Sequence, residues 1–113
     1  MASRYGKAIP HRATGAAAID SSLTPSGPIV LDSVKLHLSA VGGAAEDFTV
    51  TINSVTGPVY DTLLFSQDMT AVQDIFWQPD RPIVIANSDV IDIAYPNGNK
   101  RTYGLEVLYR KEL

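Results

Sequence analysis

The chain has 113 residues, a formal net charge of −3 and no cysteine. A chain of this length forms one domain with a core of its own, and without cysteine it has no disulfide, thiolate zinc site or cysteine nucleophile. No apolar run approaches the ~20 residues of a membrane-spanning helix, and the first residues lack the apolar stretch of a signal peptide. We therefore expect a globular protein that is made in a cytoplasm and contacts no membrane.

The first 28 residues predict an extended N-terminal arm and linker. Residues 1–13 hold three of the nine Lys and Arg residues and none of the twelve Asp and Glu residues. Residues 21–28 contain two prolines, one glycine and four Ser or Thr residues, a composition typical of a loop. Between them, the small apolar run 15–19 fits either a short first strand or a segment that lies along a neighbouring molecule.

The charge of this arm indicates a binding partner. A short basic segment on an acidic body favours contact with a negatively charged surface, and the alternative is a frayed terminus that is basic by chance. The acidic body would repel nucleic acid, so we expect no nucleic-acid partner. The residues predicted to make the contact are Arg4, Tyr5, Lys7 and Arg12.

Residues 29–113 predict a β-sandwich domain, and its first long strand covers residues 29–39. This strand alternates apolar and polar side chains, as a strand with one buried face does. Its predicted inner face consists of Val34, Leu36 and Leu38, and its outer face of Ser33, Lys35, His37 and Ser39. Residues 48–53 repeat the alternation, with Phe48, Val50 and Ile52 inside.

The middle of the chain predicts shorter strands. Residues 59–65 carry bulky side chains on both faces, so their inner face is not assigned, and residues 66–72 form a polar crossing segment. Two short strands, 74–77 and 83–85, flank a turn that contains two prolines. Seven or eight strands at a spacing of about ten residues indicate an all-β antiparallel sandwich, with a jelly roll as the expected topology.

The C-terminal strands 90–95 and 102–109 alternate most regularly, with large apolar residues at the odd positions. The turn residues between them predict that the two strands form a hairpin. An odd-length loop with Gly98 in the left-handed conformation would set Ile93 opposite Tyr103 and keep both apolar faces on one side.

No pattern of residues indicates catalysis. His11 lies in the arm and His37 on an outer strand face, and no nucleophile motif accompanies either of them. Four loop aspartates fit either a calcium site or caps of their own turns, and the second interpretation is favoured. These aspartates are Asp68, Asp74, Asp80 and Asp89. We expect a protein that is not an enzyme and that holds no metal or cofactor.

Phe76 and Trp77 are neighbours on one short predicted strand, so they face opposite ways. An exposed Trp77 would either anchor a protein interface or stack on a sugar ring. The protein interface is favoured because a single aromatic ring makes a poor sugar platform. Trp77 is therefore the fifth residue predicted to bind a partner.

Four segments of the body suggest a resemblance to a known group of proteins. They are Leu-His-Leu at 36–38, Gly-Gly-Ala-Ala-Glu-Asp-Phe at 42–48, Tyr-Asp-Thr-Leu-Leu at 60–64 and Asn-Ser-Asp-Val-Ile-Asp-Ile at 87–93. With these segments, the run from Val34 to Tyr109 resembles small virion proteins of tailed bacteriophages. The resemblance is to capsid decoration (cement) proteins with a jelly-roll body, and it covers about two-thirds of the chain.

The resemblance implies a structural virion protein, made in the host cytoplasm, that reinforces an assembled capsid. It also implies a homo-oligomer, often a trimer, whose N-terminal segment grips the major capsid protein or another virion protein. An alternative function is a carbohydrate- or receptor-binding module of a phage tail or fibre, and a second alternative is an accessory domain of an enzyme.

Overall fold

The computed structural model describes residues 6–112, in which nine strands and one short 3₁₀ turn build two antiparallel sheets. The elements are β1 (Ile9–Gly15), β2 (Ile19–Leu23), β3 (Ile29–Leu38), β4 (Asp47–Asn53), the 3₁₀ turn (Pro58–Tyr60), β5 (Thr62–Asp68), β6 (Asp74–Trp77), β7 (Ile83–Ile85), β8 (Val90–Tyr95) and β9 (Tyr103–Lys111). The predicted antiparallel β-sandwich is confirmed, and its jelly-roll topology stays a prediction.

Each sheet has four strand positions. Sheet A has the order β1-β9-β3, with β6 and β7 one after the other along the second edge of β3. Sheet B has the order β2-β8-β4-β5. Among the strands of residues 6–112, only β4 and β5 are consecutive in the chain and paired as neighbours.

The core lies between the two sheets and is built from alternate residues of the central strands. These side chains are at most 2% exposed: Val34, Leu36 and Leu38 in β3, Phe48 and Val50 in β4, Ile91, Ile93 and Tyr95 in β8, and Leu105 and Val107 in β9. The inner faces predicted for β3, β4, β8 and β9 are therefore confirmed. Burial of large side chains at a period of two residues is what holds the two sheets together.

A bulge in β3 changes one predicted face. The register of β3 against β9 shifts between Leu31 and Ser33, so the core-facing positions change from odd to even along the strand. Ser33, which was predicted to face outward, is only 3% exposed. The extra residue, Asp32, accepts hydrogen bonds from the Arg110 guanidinium at 3.0 Å. Simple alternation cannot reveal such an insertion.

The extended N-terminal arm is not confirmed. β1 pairs with β9 from Ile9 to Gly15, and β2 pairs with β8 from Ile19 to Leu23. Residues 15–19 were predicted to form either a short first strand or a segment along a neighbouring molecule. The structure is closer to the first interpretation, because Ile19 begins β2 and is 2% exposed. These edge strands escape sequence reasoning because their small and polar residues give a weak alternation.

The predicted C-terminal hairpin is wrong. β8 lies in sheet B and β9 in sheet A, so the two strands face each other across the core instead of pairing. Ile93 pairs with Val50, and Tyr103 pairs with Leu38. The left-handed residue that follows β8 is Asn97, with φ of 52°, and not Gly98. Alternation alone cannot distinguish two strands of a hairpin from two strands that face each other across the core, because both kinds bury every second side chain.

Candidate interaction surface

The predicted partner-binding residues do not form one surface. Arg4 and Tyr5 lie outside the described residues, and Lys7 is exposed just before β1. Arg12 lies on the outer face of sheet A at the β1 edge, where its side chain is 69% exposed. Trp77 lies at the other edge of this sheet and faces inward.

The exposed member of the aromatic pair is Phe76, at 66%, and not Trp77. The Trp77 indole stacks on the Phe65 ring of sheet B, with ring centroids 5.4 Å apart and an angle of 27° between the ring planes. Phe65 in turn meets the edge of the Phe48 ring at 6.4 Å. Trp77 is therefore half-buried between β5 and β6, so its predicted exposure is wrong, and its role in partner binding stays a prediction.

Arg12 belongs to a row of charges that crosses sheet A. Glu106 of β9 bonds to Arg12 of β1 through Nε at 2.7 Å and to Lys35 of β3 through Nζ at 2.8 Å. Hydrogen bonds from Lys35 and then from Arg12 hold the pKa of Glu106 below its usual value. The next row of the same face carries a contact between His37 Nδ1 and Asp74 Oδ1.

These pairings change the interpretation of the basic segment. The positive charge of Arg12 is already opposed by a carboxylate of the same sheet. It is therefore less available for a negatively charged partner than the sequence predicts, although exposed pairs of this kind exchange readily with solvent. Electrostatic attraction through Arg12 is a weak basis for partner binding.

The largest group of exposed apolar side chains lies elsewhere, in and beside the connection from β4 to β5. We call residues 54–63 the apolar loop. Its exposed side chains are Val55 (65%), Val59 (87%), Tyr60 (62%) and Leu63 (58%). Surfaces of this kind on a soluble domain are typical of sites that bind another molecule.

Hydrogen bonds from the backbone of the apolar loop order its turn. Asp61 Oδ1 accepts a hydrogen bond from the Ser54 amide at 2.8 Å, and Asp89 Oδ1 accepts one from the Val55 amide at 2.9 Å. Gly57, with φ of 148°, supplies a backbone conformation that other residues rarely adopt. The Tyr60 amide then bonds to the Gly57 carbonyl at 3.0 Å and closes the 3₁₀ turn.

The loop lies at one end of the sandwich, away from the crossover between β8 and β9. β4 ends beside the start of β8, where Asn53 pairs with Val90, and the apolar loop follows. At the other end, the Asn99 side chain of the crossover donates a hydrogen bond to the Gly42 carbonyl. Val41, an exposed valine beside that bond, is therefore at the end opposite to the apolar loop.

Two of the aspartates considered as calcium ligands bond to turns. Asp68 accepts hydrogen bonds from the amide and the hydroxyl of Thr70, which lower its pKa, and Asp89 caps the apolar loop. Within residues 6–112, no three His, Asp or Glu side chains lie close enough to hold a metal ion. The same part of the chain contains no helix that is long and apolar enough to cross a membrane.

Sequence reasoning missed the apolar loop, although a signal was present. Residues 59–65 carry bulk on both strand faces, which is more apolar side chain than one buried face requires. In the structure, Phe65 packs against the core while Val59, Tyr60 and Leu63 are exposed. Excess bulk on an edge strand is therefore a usable signal for a binding surface.

Comparison with known proteins indicates no family for the chain. No family model matches the chain, and no curated protein matches it in sequence.

Proposed function

We propose that the chain is a structural protein of a tailed-phage virion that binds the assembled capsid and reinforces it, as a decoration (cement) protein does. The observation that carries this proposal is the apolar loop, four exposed apolar side chains on a turn that the fold has already ordered. The resemblance of residues 34–109 to small virion proteins supports it. The occupant of the loop is then a neighbouring protein of the capsid lattice.

The physical basis of binding is the burial of Val55, Val59, Tyr60 and Leu63 against that neighbour. Burying apolar surface contributes roughly 25 cal/mol per Å², and Tyr is among the residues that contribute most to interfaces. Because the Asp61 and Asp89 carboxylates already accept hydrogen bonds from the Ser54 and Val55 amides, less conformational entropy is lost when the loop binds. A rigid loop therefore replaces the extended arm as the proposed contact.

Reinforcement follows from mass action on the assembled state. A protein that binds the lattice but not its separated subunits stabilises the lattice by about RT ln(1 + [L]/Kd). This amounts to about 4 kcal/mol per site at a thousandfold excess over Kd. We propose that the chain acts as a homotrimer, which would place three apolar loops on one assembly.

We also propose that the sandwich is a jelly roll. The strand orders support this topology if β6 and β7 are treated as one interrupted strand, because the two sheets then contain strands 1-8-3-6 and 2-7-4-5 of an eight-strand chain. All connections except β4 to β5 and β6 to β7 cross from one sheet to the other. Jelly rolls of this kind are frequent in viral capsid proteins.

The proposed function is tested with virions of the phage that encodes the chain. Mass spectrometry of purified particles should find the chain in numbers comparable to the major capsid protein. Particles that lack the chain are then mixed with purified protein and sedimented. Wild-type protein should co-sediment, and Val59→Asp should reduce the bound fraction at least tenfold because it places a carboxylate in the interface.

Val41→Asp is the matched control, since it changes an exposed valine at the other end of the sandwich. It should bind like wild type. Virions without the chain would overturn the proposed function, and equal binding by the two variants would remove the apolar loop from it. Light scattering on the purified protein tests the trimer separately.

A further inference from the structure

A cavity of about 480 Å³ lies where β5 of sheet B approaches the connection between β6 and β7. Its walls are Leu64, Trp77, Pro79, Asp80, Arg81 and Ile83. The cavity is an open groove rather than an enclosed chamber, and its volume is within the range of about 300–1,000 Å³ of small-ligand clefts. The cavity shares no residue with the apolar loop, although Leu64 directly follows the last residue of that loop.

Two interruptions of the sheets open this cavity. The register of β5 against β4 shifts so that Phe65 pairs with Val50 and Leu63 with Thr51, which leaves Leu64 as a bulged residue. In sheet A, the segment with Pro79 separates β6 from β7. The opening therefore results from two irregularities that face each other, one at the edge of each sheet.

The floor of the cavity is apolar and fixed. Trp77 is held by its stacking on Phe65, so the orientation of the indole is set by the core. Leu64 and Ile83 also pack against the core from this side. A rigid aromatic surface of this kind binds flat apolar faces without a large loss of side-chain entropy.

The rim carries two charged side chains without a partner. Asp80 and Arg81 are both exposed, and within residues 6–112 neither makes a hydrogen bond or an ion pair. Arg12, Lys35 and Arg110, by contrast, are each paired with a carboxylate. The rim thus offers carboxylate acceptors and guanidinium donors above an apolar floor.

We propose that this cavity binds a saccharide. One aromatic ring alone makes a poor sugar platform, but here charged groups lie beside it. The apolar C–H face of a pyranose ring would stack on the Trp77 indole, while its hydroxyl groups donate to Asp80 and accept from Arg81. The opposite charges of Asp80 and Arg81 offset each other, so the rim gives a free ion little net attraction and favours a ligand that both donates and accepts hydrogen bonds. The inference does not depend on the capsid function.

Trp77 makes the test direct, because it is the only tryptophan of the chain. Full-length protein is applied to an array of bacterial and plant glycans, and each glycan that binds is titrated while the tryptophan fluorescence is recorded. We expect at least one neutral glycan to bind with a saturable change in emission. Asp80→Ala and Arg81→Ala should each weaken this binding about tenfold, since each removes a charged hydrogen-bond partner.

Asp20→Ala is the matched control, because Asp20 is an exposed aspartate on β2, at the edge of sheet B opposite to β5. It should bind like wild type. The absence of any bound glycan overturns the inference, and so does binding that Asp80→Ala and Arg81→Ala leave within twofold of wild type. Binding that is lost only in Val59→Asp would assign the glycan to the apolar loop and overturn it as well. Co-sedimentation with capsids has no bearing on these outcomes.

Discussion

The first two strands and the last two strands of the sandwich are partners, yet they contribute to stability in different ways. β1 pairs with β9 along seven residues, and β2 pairs with β8 along five. The C-terminal strands are central and bury large side chains on the core. The N-terminal strands are edges, and Ile19 is the one residue of β1 and β2 that is fully buried. Edge strands of this kind depend on backbone pairing more than on side-chain burial.

Both strand pairs change sheets at the same end of the molecule, and one side chain links the two crossovers. Asn97 is 2% exposed and lies between β8 and β9. Its Nδ2 donates to the Ala17 carbonyl between β1 and β2 at 2.9 Å and to the Arg101 carbonyl at 2.9 Å. Its Oδ1 accepts a hydrogen bond from the Arg101 amide at 2.9 Å. The N-terminal strands are therefore tied to the C-terminal ones by this side chain in addition to the ladders.

Deletion of residues 1–24 gives the largest effect that the comparison predicts. It removes β1 and β2, exposes an edge of both β9 and β8, and takes away Ala13 and Leu23, which pair with Leu105 and Ile91. We expect a loss of more than about 5 kcal/mol, enough to unfold a domain of ordinary stability. Circular dichroism should then show no cooperative thermal transition.

A chain that starts at Ala8 is the control, because it keeps both N-terminal strands. It should retain a cooperative transition close to that of the full chain. If the chain that starts at Pro25 melts cooperatively at nearly the same temperature as the control, the first two strands are dispensable and residues 1–28 act as an arm after all.

Asn97→Ala is expected to have the next largest effect. The substitution removes three hydrogen bonds in a buried site. It also places alanine in the left-handed region, at φ of 52°, which Asn tolerates better than Ala. We expect a loss of about 2–4 kcal/mol in the free energy of unfolding, measured in urea. Asn97→Gly loses the same bonds but accepts the backbone conformation, so it should be about 1 kcal/mol more stable than Asn97→Ala.

The two Asn97 variants separate the effect of the lost hydrogen bonds from the effect of the left-handed backbone conformation. Equal stability of both variants would show that φ has no part in the effect. A loss below about 0.5 kcal/mol in Asn97→Ala, the range of ordinary surface changes, would mean that the side chain does not hold the crossovers together.

The sequence predicts this molecule best where burial alone decides. The approximate limits of β3, β4, β6, β7 and β8 follow from alternation, as do the inner faces of β4, of β8 and of β3 beyond its bulge, because a core-facing side chain must be apolar at every second position. Which strands pair with each other does not follow from the alternation. Ile93 and Leu105 alternate in the same way whether they are neighbours in one sheet or face each other across the core.

The candidate sites are predicted less well, for a related reason. The sequence indicates that one of Phe76 and Trp77 is exposed, but which one depends on the position of Phe65 in the other sheet. The cavity beside Trp77 requires a bulge at Leu64, which a pattern of period two does not reveal. In the sequence, the apolar loop shows only as more apolar bulk than one buried face needs. Part of its order comes from Asp89, which is 34 residues from its partner Val55 in the chain.

The smallest predicted effect concerns the charges that join the N-terminal edge to the sheet. Glu106 has a lowered pKa because Lys35 and Arg12 bond to its charged form. A carboxyl group whose pKa is depressed by folding stabilises the fold above its usual value of 4.5 and loses that contribution as the pH falls below it. Glu106→Gln should therefore lower the midpoint of thermal unfolding slightly at pH 7, and its difference from wild type should shrink as the pH falls below 4.5.

The effect is small because the side chains of Arg12 and Lys35 are 69% and 50% exposed, so solvent screens both pairs. About 0.5 M salt should reduce the difference between Glu106→Gln and wild type at pH 7. Arg12→Ala and Lys35→Ala then show how much of this stability difference comes from each ion pair of Glu106. The first pair joins β9 to β1, and the second joins β9 to β3. A difference that does not shrink as the pH falls below 4.5 or as salt is added would come from packing of the Glu106 stem and not from its charge. The row of charges would then have no part in holding β1 to the sheet.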